Sequence, residues 1–132
     1  MRIIPAAVLA MALGMPIGTS ASAAANIIGS WSGRGSVTLT SGQVEPVSCR
    51  VSYEKGDDKG KTFVLNATCA TTAGTFVQSG RVSKRSSSSY SGSLYSDQYS
   101  VSGKVTVSVN GSSQILRVSS KKGRGSLSLR RQ

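Results

Sequence analysis

The stretch Gly33 to Leu39 reads GRGSVTL, and ninety residues later Gly123 to Leu129 reads GRGSLSL. As chemistry, each copy is an Arg-Gly segment that grips an anion. As architecture, the two are strands that meet where a sheet closes on itself. Their spacing decides for architecture. In both copies Val or Leu alternates with Ser, Thr or Arg, the period of a strand with one buried face. A dinucleotide-binding glycine fingerprint must open a helix, and no apolar 3.6-residue period follows either copy.

The same period of two continues outward. Val47, Cys49, Val51 and Tyr53 alternate with Ser48, Arg50, Ser52 and Glu54. Gly56 to Gly60 carries turn residues, and Phe63, Leu65, Ala67 and Cys69 return along an apolar face. A hairpin symmetric about Lys59 sets Cys49 opposite Cys69, Val51 opposite Ala67 and Tyr53 opposite Leu65. Residues opposite one another share a side of the sheet, so the cysteine pair agrees with the apolar register. These are the only two cysteines. In an exported chain they read as a disulfide, a constraint that contributes ~3 kcal/mol in the chain-entropy model.

Gly80, Gly92 and Gly103 recur in Ser-Gly phrases, at the spacing of short antiparallel strands. Glycine within a strand allows tight coiling or close backbone approach. Asn110-Gly111 predicts a two-residue hairpin turn, with Val107 facing Gln114, Val105 facing Leu116 and Gly103 facing Val118. The pattern predicts about eight strands, at 30–40, 44–55, 61–70, 75–83, 88–95, 98–109, 113–119 and 123–131. Short links make sequence neighbours antiparallel neighbours. The expected fold is all-β: a small antiparallel up-and-down barrel, with a two-sheet β-sandwich as the alternative. In the barrel the two GRGS segments lie side by side.

Residues 1–23 have the layout of a secretory signal peptide: Met1-Arg2, an apolar run from Ile3 to Ile17, and Ala21-Ser22-Ala23 as cleavage site. Cleavage after Ala25 is the alternative. Residues 24–132 then form a single exported domain, periplasmic or secreted, with no transmembrane segment. Of 16 basic residues only Arg2 precedes the cut, so 15 remain against five acids, a net charge of +10.

The chain contains no histidine. That removes the commonest general base and metal ligand and every Ser-His-Asp arrangement. With both cysteines in a disulfide no thiolate site is left, so no metal, no cofactor and no enzyme is expected. The positive charge points to an anionic polysaccharide or lipid headgroup, without specific nucleic-acid recognition. Candidate polyanion-binding residues in predicted loops and strand ends are Arg81, Lys84, Arg85, Lys121, Lys122 and Arg124. Trp31 is a candidate end plug. With Tyr90, Tyr95 and Tyr99 it is also a candidate for the rim of a pocket. An eight-stranded barrel either holds a small ligand or fills itself with side chains, and the sequence leaves that open. Two functions remain: a non-catalytic barrel binding an anionic envelope component or small ligand, and an inhibitor or partner-protein module.

Trp31-Ser32-Gly33-x-Gly35, Cys49-Arg50-x-x-Tyr53, Cys69-Ala70 and Ser126 to Arg131 together resemble a family of small exported proteins of alphaproteobacteria. The middle, Ser91 to Ser96 and Val101 to Gly103, is similar too, with Leu94 where the family pattern has tryptophan. The resemblance implies export and a lipocalin-like small barrel, and carries over no functional residue. A fainter similarity is to barrel-type periplasmic protease inhibitors, which share the early tryptophan and two cysteines about 20 residues apart.

Overall fold

A computed structural model describes residues 27–98 and 101–132. The proposed signal segment and Tyr99 lie outside the described residues. Eight strands follow one another: β1 Gly29–Leu39, β2 Val44–Lys55, β3 Thr62–Thr71, β4 Gly74–Lys84, β5 Ser89–Ser96, β6 Val101–Asn110, β7 Ser113–Ser120 and β8 Gly123–Arg131. Each pairs antiparallel with the next, and β1 pairs with β8, so the sheet is a closed barrel and not a two-sheet sandwich.

The closing seam joins the two GRGS segments residue for residue. Gly33 lies opposite Leu129, Gly35 opposite Leu127, Val37 opposite Gly125 and Leu39 opposite Gly123. Each inward glycine of one copy thus receives an apolar side chain of the other. β4 and β5 repeat the device, with Gly80 opposite Leu94 and Gly92 opposite Val82. At Gly33, Gly35, Gly80 and Gly92 the neighbouring strand passes so close that a Cβ would overlap its carbonyl oxygen. The strand glycines therefore serve coiling of the wall.

The β2–β3 hairpin has the register read from the sequence: Cys49 faces Cys69, Val51 faces Ala67 and Tyr53 faces Leu65. The Cys49–Cys69 disulfide crosses that ladder inside the barrel. The β6–β7 hairpin differs. Val107 faces Leu116, Val105 faces Val118 and Gly103 faces Ser120, while Gln114 faces Val109. Asn110 pairs with Ser113, so Gly111-Ser112 makes the turn, with Gly111 at φ 64°. The two-residue slip keeps every side chain on its expected face. The sixth strand also starts at Val101 rather than at 98.

Core residues point inward, and most outward positions carry hydroxyl or charged side chains, with Val44, Val77, Tyr95 and Ile115 as exposed apolar exceptions. A barrel immersed in lipid has the reverse arrangement, an apolar outer band.

Candidate functional site

The inward positions divide into two halves. One end is filled with large side chains. Trp31, Tyr53, Phe63, Tyr90, Val107 and Leu129 are all buried there. Phe63 and Tyr90 meet edge to face, with centroids 5.6 Å apart. The Tyr53 hydroxyl donates to Gln114 Oε1 at 2.7 Å. Burial pushes the Tyr53 phenol well above its ordinary range, with a smaller contribution from Tyr90.

Trp31 seals this end from outside as well. Its indole N–H donates to the Ile27 carbonyl at 3.0 Å, so the segment before β1 folds across the opening and buries Ile27. The Arg131 guanidinium lies 4.4 Å from the indole centroid and donates to the Ile28 carbonyl at 2.9 Å. Such a cation over an aromatic face contributes roughly 0.5–2 kcal/mol.

The other end is open. There the inward positions are small or medium: Val37, Val47, Ala67, Leu94, Val118 and Gly125, with Phe76 as the large residue. A cavity of about 400 Å³ occupies this half. Its walls are mainly apolar, and the disulfide forms part of them. Polar groups enter at Glu45, Thr71, Gln78, Ser96 and Ser120. The Ser96 side chain is 7 % exposed, yet its hydroxyl has no hydrogen-bond partner. A buried hydroxyl left unpaired costs about 1–3 kcal/mol. Among the described residues no three His, Cys, Asp or Glu side chains gather as metal ligands.

The structure divides the residues singled out from sequence. Tyr95, Lys122 and Arg124 are exposed and stand at the rim of the open cavity, and Lys121 is exposed in the same β7–β8 turn. Trp31 and Tyr90 do not rim it. They sit in the filled half, because Trp31 packs under Arg131 and Tyr90 against Phe63. Lys84 and Arg85 lie at the filled end and Arg81 approaches Gly56 on that side, so the six basic candidates form no single patch. Arg85 instead donates to Ser91 Oγ at 2.6 Å.

Glu45 enters the sequence reading only as one of five acids, and Phe76, Gln78 and Ser96 are not candidates there. Their signal was available: once the inward set is known, its residues shrink from the Trp31 end toward the β1–β2, β3–β4 and β7–β8 turns. A second depression, of about 350 Å³, lies on the outer wall and is polar, lined by Ser30, Arg50, Ser52, Asn66, Thr68 and Gln132.

No protein-family model and no curated protein matches this chain. Solved structures do. A redesigned β-barrel, mFAP1, bound to DFHBI, superposes with a TM-score of 0.66 at 10 % identity over 80 % of this chain and 94 % of that one. A fluorescence-activating β-barrel designed de novo gives 0.64 at 19 % identity, over 86 % and 100 %. The redesigned barrel mFAP0, also bound to DFHBI, gives 0.65 at 10 % identity, over 80 % and 98 %. At such identities the likeness is one of fold.

Proposed function

We propose that the protein is an exported, non-catalytic binding barrel that takes one small, largely apolar ligand in its open half. The observation that carries this is the asymmetry of the interior. One end is filled and sealed by Trp31, while the other holds a cavity of about 400 Å³. That volume falls in the range of about 300–1,000 Å³ usual for small-molecule sites. Apolar walls supply affinity, and the polar side chains of Glu45, Thr71 and Gln78 among them select a ligand that also carries a polar group. Two barrels of like fold are bound to DFHBI, which supports a small-ligand reading.

The signal-like residues 1–23 support export, and the disulfide suits an oxidising compartment. Glu45 is the one acidic side chain lining the cavity among the described residues, and the chain has no histidine. A binding role without covalent chemistry accords with that inventory. The test is titration of the oxidised protein with an environment-sensitive apolar dye, alongside Ala67→Phe. Ala67 lines the cavity, so the larger ring fills it. Saturable one-to-one binding, weakened at least tenfold by the substitution, is expected. Equal binding by both proteins, or none by either, refutes the proposal.

A further inference from the structure

The five acidic side chains all lie between Glu45 and Asp97, and residues 1–44 and 98–132 carry none. Barrel closure turns this gap in the sequence into a gap on the surface. Because β1 pairs with β8, strands β6, β7, β8 and β1 are four consecutive staves of the wall. Lys104, Arg117, Arg124, Arg130 and Arg34 point outward from them, all exposed, and Lys121-Lys122 extends the set at the β7–β8 turn. No acidic side chain interrupts this face among the described residues.

The cations are arranged, not merely numerous. Lys104 lies between Ser93 and Ser119, Arg117 between Thr106 and Ser126, and Arg124 between Ser119 and Thr38. Arg130 lies between Ser113 and Ser32, and Arg34 between Ser128 and Ser48. Every cross-strand neighbour of these five cations is thus a serine or threonine. This checkerboard keeps like charges from standing directly opposite, where they would destabilise the sheet. Cations two strands apart, such as Lys104 and Arg124, are separated by about 10 Å. Each has hydroxyls beside it.

We propose that this face binds a linear acidic polysaccharide. The surface meets the mouth of the ligand cavity at Lys122 and Arg124, while Arg34, Lys104, Arg117 and Arg130 stand apart from its lining. Its charge complements a chain of carboxylates, and its hydroxyls match sugar hydroxyls. A flexible polymer follows the convex wall across all four staves, about 15 Å at the usual strand spacing. A flat anionic membrane touches a convex wall along only one or two strands. The face also offers Ile115 alone as a large exposed apolar side chain, which gives no apolar stripe to insert. Single-stranded nucleic acid needs aromatic platforms for its bases, and no outward position of these strands is aromatic.

The experiment measures binding of polygalacturonate by calorimetry at low and high salt. One variant combines Arg34→Gln, Lys104→Gln, Arg117→Gln and Arg130→Gln. The control combines Lys55→Gln, Lys59→Gln, Lys61→Gln and Lys84→Gln, which removes the same charge elsewhere. All eight side chains are exposed, and far-ultraviolet circular dichroism checks that both variants fold. The face variant is expected to lose at least tenfold in affinity and most of the salt dependence, while the control changes less than threefold. Equal weakening in the two variants means attraction by net charge alone and overturns the proposal. So does absence of polygalacturonate binding at low salt. Tighter binding of phosphatidylglycerol vesicles or duplex DNA through the same four residues assigns the face to another partner and also overturns it.

Discussion

Gly35 and Gly125 occupy the same place in the two GRGS segments, yet their substitution by alanine is expected to act in opposite directions. A Cβ on Gly35 would overlap the Ser126 carbonyl oxygen and lie 2.8 Å from Leu127 Cα. Carbon atoms in good contact sit about 3.5–4.0 Å apart, so the β8 backbone would have to retreat by roughly 1 Å. It is hydrogen-bonded into the seam and cannot yield as a side chain would. Overpacking of this kind costs about 1–3 kcal/mol and occasionally more. With a backbone as the obstacle, the upper end, ~3 kcal/mol, is expected. For a domain near 100 residues this lowers the melting temperature by roughly 12–24 °C. A Cβ on Gly125 would instead meet Val37 Cγ2 at 3.5 Å, ordinary contact. Gly125 also has no left-handed φ, so alanine reduces unfolded-state entropy without strain and stabilises by about 0.4–1 kcal/mol. The assay is thermal unfolding of the oxidised protein followed by circular dichroism. Equal shifts for Gly35→Ala and Gly125→Ala would refute the seam as described.

Three other outcomes are expected. Cys49→Ala/Cys69→Ala should lower stability in urea by about 3 kcal/mol, because it releases a constraint on the unfolded chain; no change would mean that the native cross-link carries compensating strain. Tyr53→Phe should cost about 1–3 kcal/mol by leaving Gln114 Oε1 unpaired in the core, and adding Gln114→Leu should recover part of the loss. Because burial raises the Tyr53 phenol above its ordinary 10.0, the folded state holds a proton that the unfolded state gives up above that pH. Stability should be level below about pH 10 and then fall by up to about 1.4 kcal/mol per pH unit; a Tyr53→Phe protein whose alkaline slope matched the parent's would contradict this.

The hairpin from Val47 to Cys69 was legible because two independent signals, apolar alternation and the cysteine pair, fix one register. The seam was legible because the GRGS segments place glycine and apolar residues at matching inward positions. The β6–β7 register differs from the expected one by two residues, since Asn110-Gly111 and Gly111-Ser112 both suit a tight turn and both keep Val105, Val107 and Leu116 inside. Alternation cannot separate registers that differ by two. The division of the interior was harder to read. Tyr90 and Tyr95 are close in sequence, but their opposite parity sends one into the core and the other outward, at opposite ends of β5. The basic surface was harder still. Lys84 and Lys122 look alike as loop lysines, and only the closed topology shows that they lie at opposite ends.

The most direct test of the open half-barrel is amide chemical-shift mapping of the isotopically labelled protein during titration with a small apolar fluorophore. Saturable shifts are expected at Val47, Ala67, Leu94, Ser96 and Val118, with the Trp31 indole and the amides of Tyr53 and Tyr90 unmoved. Shifts centred on Trp31 and Tyr90, or none at saturating dye, would contradict a barrel sealed at one end and open at the other.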